Sequence, residues 1–333
     1  MIAAVHFRNF KALRAASVRL GPFNLLIGPN GSGKTSLIEA LLRLRTLASL
    51  PAAPAGGAER PGGPQIEFEF APPYADIRVH LGCVSDLQCD LLKVDHPPGP
   101  AGEARWGELA GRIRSIRGYL LDHYAMAAPA RRAGPAGLAS NAGNLGAVLA
   151  TRRTEAPAAY AELEAEFRRL MPEFSGVDCR DGAGGADALW FPLANGEAAI
   201  PAEQVSQGTL YLLAILTLAF DPAPPAVVCL EEADRGIHPR MLREVRDALY
   251  RLSHPAAAAL ARPAVQVLTT THSPYFLDLF RDHPDEVVLA QKQGNAATFE
   301  RLSDRPDLAE IIQDAPLGDL WYSGVLGGVP GAE

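Results

Sequence analysis

Eight residues, Gly28-Pro29-Asn30-Gly31-Ser32-Gly33-Lys34-Thr35, constrain this chain more than any other stretch of it. They follow G-x-x-x-x-G-K-[ST]. They lie between an apolar run at 23–27 that predicts a strand and a run at 34–48 that predicts a helix. Glycines let the backbone curl until successive N–H groups face one anion, and the helix opening directly behind adds its positive end. In this reading Lys34 reaches the outer phosphates of a nucleotide and the Thr35 hydroxyl binds Mg²⁺. Asn30, Gly31, Gly33 and Ser36 complete the cofactor loop. The alternative is a Gly-rich turn before a helix. A chance match of this kind is expected in about one chain in a hundred even before the strand–loop–helix setting is required, so phosphate binding is the better reading.

A second stretch asks for the same explanation. The apolar run Ala226-Val227-Val228-Cys229-Leu230 predicts a strand and ends in two adjacent acids, Glu231 and Glu232. Like charges repel, and burying either carboxylate unpaired is costly. A P-loop site needs a second strand ending in an acid that holds magnesium. Glu231 stands at that position, and Glu232 can polarise the attacking water. The bland alternative is a solvated acidic loop tip. Upstream, Val205–Ile215 places Ser206 as a helix N-cap with Gly208 beside it. That helix start offers a further anion site, although alone it would be only a capped helix. Downstream, His272 follows a β-rich run at 264–271 and precedes a predicted helix from Ser273, a position suited to sensing a phosphate.

Bulk properties remove other classes. The chain has 333 residues, 48% of them hydrophobic, enough for a large core in one big domain or two lobes. Its formal charge of -7 gives no support for a polyanion-binding surface. The four cysteines, Cys83, Cys89, Cys179 and Cys229, form no CxxC pair and no zinc spacing, and are expected to be reduced thiols. The N-terminus lacks a signal-peptide pattern. The most apolar stretch, 209–220, is too short to span a bilayer and predicts a buried core helix. A cytoplasmic protein without a membrane anchor is expected.

Along the chain, strands are expected at 2–7, 66–70 and 77–82, and helices at 106–126, 157–170 and 239–253. An Asn-Gly hairpin signal lies within 191–200, and a strand pair with a short helix is expected from 285. Residues 51–64 read as a Pro/Ala/Gly loop. The expected division is an α/β nucleotide-binding lobe of 1–100 plus 226–333, and a mostly helical lobe of 101–225 carrying Ser206 and Gly208. No heptad run survives the prolines and glycines of the middle.

Taken in order, FRNFKAL, GPNGSGKT, LASNAGNLGAVLA (138–150), SQGTL, EEADRGIHPR, TTTHSP and LGDLWYSGVLGG (317–328) resemble the ABC-type ATPase heads of the SMC, RecF and OLD families. The likeness is closest to the short OLD/RecF-like bacterial ATPases, and it covers nearly the whole chain. It implies a bilobed α/β P-loop fold with a mixed sheet, and a homodimer that sandwiches two ATP molecules head to tail. By the same resemblance Lys34 and Thr35 bind phosphates and magnesium, Glu231 assists the metal, and Glu232 is the catalytic carboxylate. Ser206 and Gly208 would complete the partner's site, His272 would meet the γ-phosphate, and Asn9 and Phe10 would lie near the nucleotide. From the second acid onward relatives often read EPENGLHP, whereas this chain reads Glu232-Ala233-Asp234-Arg235-Gly236-Ile237-His238-Pro239. Arg235 is either a dimer contact or a solvated side chain, and neither Gln65 nor Gln88 stands out as the glutamine that relatives place near the metal.

Two functions compete. One is an ATPase that closes on ATP and controls a partner, a nuclease or DNA, in repair or antiphage defence. Coiled-coil arms are not expected. No nuclease segment is expected in the roughly 60 residues after His272, so nuclease chemistry would come from another polypeptide. The other function is the ATP-binding subunit of a membrane transporter, whose signature usually reads LSGGQ rather than SQGTL. A scaffold that binds ATP without turnover is disfavoured by Glu232, and a small-molecule kinase would leave Ser206 and His272 unexplained.

Overall fold

The computed structural model describes residues 1–50, 62–131, 137–181, 185–294 and 296–329. Most of the Pro/Ala/Gly loop expected at 51–64 therefore lies outside the described residues.

Alternation builds the first sheet. In β4 (Gln65–Phe70), Ile66, Phe68 and Phe70 are buried while Gln65, Glu67 and Glu69 are half-buried on the other face. This strand sits centrally in a five-stranded antiparallel sheet with β1 (Ile2–Phe10), β2 (Leu13–Arg19), β5 (Arg78–Ser85) and β6 (Gln88–Asp95), in the order β2-β1-β4-β5-β6. Its apolar face shares one core with α1 (Lys34–Leu47) and α2 (Pro100–Arg114). Leu37, Ile38, Leu41 and Leu44 recur along α1 at helical spacing, so one stripe of the helix is buried. The polar face carries a cross-strand row, Ser17, His6, Glu67, His80 and Lys93, one residue from each strand.

The second sheet positions the site. It contains β3 (Phe23–Ile27), β7 (Arg117–Tyr119), β12 (Val227–Leu230), β13 (Gln266–Thr270), β14 (Val287–Gln293) and β15 (Ala296–Arg301), in the order β15-β14-β3-β13-β12-β7. Strands β14, β3, β13 and β12 run parallel. Strands β3, β12 and β13 are buried along their whole length, the pattern of a parallel sheet covered on both faces. Ligands in such sheets bind beyond the carboxyl ends of the strands.

Two compact units emerge. The first is Met1–Gly118, Pro225–Leu230 and Arg262–Glu333, which holds both sheets apart from Tyr119, the last residue of β7. It also holds α8 (Pro274–Asp278), α9 (Leu308–Asp314) and α10 (Leu317–Tyr322). The second is Tyr119–Pro224 and Glu231–Ala261. At its centre α6 (Gln207–Ala219) is buried at every position from Thr209 to Ala219, which fits a helix apolar all round. Around it lie α3 (His123–Ala127), α5 (Pro157–Leu170) and α7 (Leu242–Ser253). Here α4 (Leu145–Glu155) packs on a small sheet of β8 (Ala130–Arg131), β9 (Asp178–Asp181), β10 (Ala186–Pro192) and β11 (Ala199–Pro201). The β10–β11 pair is the Asn-Gly hairpin, with Phe191 opposite Ile200. Inside this unit Arg152 and Asp221 form a buried ion pair at 2.6 Å, and the Arg152 guanidinium also donates to the Thr217 carbonyl.

Two expectations are corrected. The helix expected over 106–126 stops at Arg114, gives way to β7 and resumes only as the short α3. Sheet pairing at 117–119 overrides the local periodicity. The cysteines are not all reduced, because Cys83 and Cys89 form a disulfide, while Cys179 and Cys229 are free and buried. The bridge spans the β5–β6 hairpin, whose second strand had not been read from the sequence. Without that turn, nothing placed residues 83 and 89 opposite one another.

Candidate functional site

The phosphate loop hangs from the carboxyl end of β3. Gly28 and Gly33 have φ of 140° and 94°, and each is pinned by a neighbour as well as by its backbone. A Cβ on Gly28 would lie 2.1 Å from the Ala290 carbonyl oxygen of β14, and one on Gly33 would lie 2.9 Å from Leu13 Cδ2. The backbone approach at Gly28 needs glycine, and at Gly33 the positive φ does. The loop runs directly into α1, whose first turn has no side-chain cap and no acidic residue. The N–H groups that begin a helix therefore keep their positive end facing the loop.

Lys34 is only 7% exposed, and its ammonium donates to the carbonyls of Gly28 at 2.7 Å and Pro29 at 2.9 Å. Asn30, Gly31 and Thr35 are exposed, and Ser36 is half-buried. Ser32 is fully buried, and its Oγ has no hydrogen-bond partner. A buried hydroxyl without a partner is costly, so an orphan inside this loop marks a place where a ligand oxygen would be satisfied. The pinned glycines, the uncapped helix and the orphan hydroxyl together fit a phosphate chain.

Register brings the other strand ends to the same edge of the sheet. Thr270 lies opposite Leu26, and Leu230 lies opposite Thr269, whose hydroxyl donates to the Leu230 carbonyl at 3.0 Å. His272 follows β13 and is exposed, and Ser273 behind it caps α8 by accepting from the Phe276 N–H at 3.3 Å.

In the second unit, Glu231 is the first residue past β12, and its N–H donates to the Tyr119 carbonyl at 2.9 Å. Glu232 has φ of 53°, a left-handed backbone that non-glycine residues rarely hold. Its carboxylate lies 3.6 Å from the exposed Arg235 guanidinium. Ser206 caps α6, accepting from the Thr209 N–H at 3.1 Å. A Cβ on Gly208 would sit 2.6 Å from the Gly236 carbonyl oxygen, so the loop after the two acids packs directly on the start of α6.

The N-terminal pair divides. Asn9 and Lys11 have φ of 54° and 52°, so the chain turns sharply there. Phe10 is fully buried, its ring under the Arg43 guanidinium at 4.8 Å. Asp86, in the β5–β6 turn, accepts from the Lys11 N–H at 2.9 Å, and its carbonyl accepts from Arg43 at 2.7 Å. Phe10 thus anchors the turn from below. Gln65 opens β4, and Gln88 opens β6, where it is exposed. Sequence reasoning passed over Ser32, whose burial no motif announces. It left the C-terminal LGDLWYSGVLGG segment without a role; the structure buries Leu317, Leu320, Trp321 and Leu326 and leaves Tyr322 exposed. Trp321 is 7% exposed and donates to the Gly328 carbonyl, and a Cβ on Gly328 would lie 3.5 Å from the Ala290 oxygen.

Comparison with known proteins finds ATPase domains. The family model described as "AAA domain, putative AbiEii toxin, Type IV TA system" matches residues 127–278, and an "AAA ATPase domain" model matches residues 1–59. The DNA replication and repair protein RecF of Magnetococcus marinus is 45% identical over 107 residues, 32% of this chain and 28% of that protein. A solved SMC head, described as bound to the C-winged helix domain of ScpA, superposes with a TM-score of 0.59 at 13% identity. It covers 90% of this chain and 96% of its own. The chain has the fold of an SMC head, and these matches together support a likeness to SMC/RecF-like ABC-type ATPase heads. The SMC head domain of Thermotoga maritima has the same fold, with a TM-score of 0.50 at 13% identity over 90% of this chain and 98% of its own. The stretch this chain shares with RecF spans a little over a quarter of that relative's length. A membrane-transporter subunit is not favoured by these matches. No helix among the described residues is long and apolar enough to cross a membrane.

Proposed function

We propose that this head binds Mg-ATP, closes head to tail with a second copy of itself, hydrolyses the nucleotide, and through that cycle switches a partner. The observation that carries the proposal is the phosphate loop at the carboxyl edge of the parallel sheet, with its pinned glycines and orphan Ser32 hydroxyl. Lys34 and the N–H groups of residues 31–36 hold the phosphates, with Asn30 and Gly31 at the open rim. Magnesium, which binds through one or two protein oxygens plus phosphates, would neutralise charge developing on the phosphates. Thr35 and Glu231 are the residues to hold it. Glu232 orients and deprotonates the attacking water, and its left-handed backbone is the kind of strain that collects at such sites. His272 contacts the terminal phosphate. Ser206 and Gly208 face the nucleotide of the second copy, so that each site is composite.

The setting proposed is DNA repair or antiphage defence, with DNA or a nuclease-like protein as the partner. RecF is named for DNA replication and repair, and one matching model is described by a toxin–antitoxin system. The experiment is ATP turnover and binding by the wild-type chain, Lys34→Ala and Glu232→Gln. Lys34→Ala should lose binding or turnover. Glu232→Gln should bind normally and hydrolyse about 10²-fold or more slowly, the scale of removing a general base. Wild-type turnover by Glu232→Gln would sink the assignment of the second carboxylate.

A further inference from the structure

The phosphate loop has a second lysine beside it that belongs to no motif. β14 runs parallel to β3, with Leu289 opposite Ile27, so its carboxyl end emerges alongside the loop. Ala290 touches Gly28 through its carbonyl. Lys292 lies two residues further along the strand, on the same face as Ala290. Its side chain reaches the rim, because a Cβ placed on Gly31 would lie 3.9 Å from Lys292 Nζ. Lys292 is exposed, and no carboxylate among the described residues pairs with it.

The two lysines approach the loop differently. Lys34 is buried and held by the Gly28 and Pro29 carbonyls. Lys292 stands at the exposed rim, where Asn30 and Gly31 are open to solvent. Two ammonium groups and a helix N-terminus around one loop repel one another unless an anion lies between them. Lysine is a mobile point charge suited to a phosphate oxygen.

We propose that Lys292 is a second phosphate-binding lysine, contributed by β14, that contacts the terminal phosphate and favours the triphosphate over the diphosphate. This rests on the loop being the nucleotide site. The chemistry it selects is a nucleoside triphosphate whose outermost charge sits at the Asn30–Gly31 rim.

The test is equilibrium binding of a non-hydrolysable Mg-ATP analogue and of Mg-ADP to the wild-type chain, Lys292→Ala and Lys292→Arg. Lys292→Ala should weaken the triphosphate about tenfold, the scale of one charge-assisted hydrogen bond, and the diphosphate by less than about threefold. Lys292→Arg should restore most of the triphosphate affinity. A merely structural lysine would move both nucleotides together, so equal loss for the two overturns the terminal-phosphate assignment. Unchanged affinity for both in Lys292→Ala overturns the contact altogether and, if closure of the dimer is lost instead, assigns the lysine to the second copy. If the wild-type chain binds neither nucleotide, the phosphate-site reading fails and this inference falls with it.

Discussion

The α-carbon of Gly28 and the carbonyl oxygen of Ala290 are so close that a single added carbon would stand 2.1 Å from that oxygen. Gly328 approaches the same oxygen from the C-terminal turn, where its own Cβ would lie 3.5 Å away. The phosphate loop, β14 and the end of the chain thus meet at one backbone group. The loop is held in shape by packing that begins some 260 residues downstream in the sequence.

Gly28→Ala should therefore cost far more than a loop substitution ordinarily does. Both the contact and the φ of 140° oppose it, and a loss of about 3 kcal/mol is expected, the upper part of the usual single-substitution range. Denaturant melts of the wild type and the variant give the value. A loss below about 0.5 kcal/mol would mean the loop can move off β14 freely.

Glu232 tests whether strain is stored at the proposed catalytic carboxylate. A non-glycine residue in the left-handed region is disfavoured by roughly 1–2 kcal/mol. Neither Glu232→Ala nor Glu232→Gly has the carboxylate, so both should lose turnover alike. The glycine variant should nevertheless be the more stable by about 1 kcal/mol, the reverse of the usual order of alanine and glycine. The same stability for both variants would show that the φ of 53° is not maintained in solution.

The start of α6 needs two variants to separate packing from dimer contact. Gly208→Ala places a carbon 2.6 Å from the Gly236 carbonyl, so it should destabilise the second unit whether or not a dimer forms. Ser206 is exposed and caps the helix. Losing that cap costs about 1 kcal/mol, whereas asparagine preserves it. Ser206→Arg should keep nucleotide binding and lose ATP-driven dimerisation, and Ser206→Asn should keep the cap. The measurement is nucleotide affinity alongside sedimentation, and full dimerisation of Ser206→Arg would remove this helix from the composite site.

The setting of the candidate phosphate loop was legible because the motif prescribes its flanking elements. The Gly28–Thr35 pattern demands a strand before it and a helix after it, and β3 and α1 are there. The run from 209 to 220 is apolar on every side and too short for a bilayer, so it could only be a core helix, and α6 is one. What stayed hidden depends on distant pairing. β7 is three residues long and exists because a sheet edge receives it, not because its own sequence asks for a strand. The Cys83–Cys89 bridge needs the hairpin that sets those residues opposite one another. The packing role of Gly208 also stayed hidden, since the Gly236 carbonyl requires it to lack a side chain whether or not it meets a ligand. Lys292 carries no local signal, since a lysine in VLAQKQG reads as an ordinary strand residue until β14 is laid beside β3.

The most direct measurement is the solution mass of the Glu232→Gln protein by light scattering, with and without Mg-ATP. The account predicts that the 35.4 kDa chain doubles in mass when Mg-ATP is added and returns to the monomer when nucleotide is removed. A protein that binds ATP tightly yet keeps the mass of one chain at every concentration tested would contradict the composite-site account.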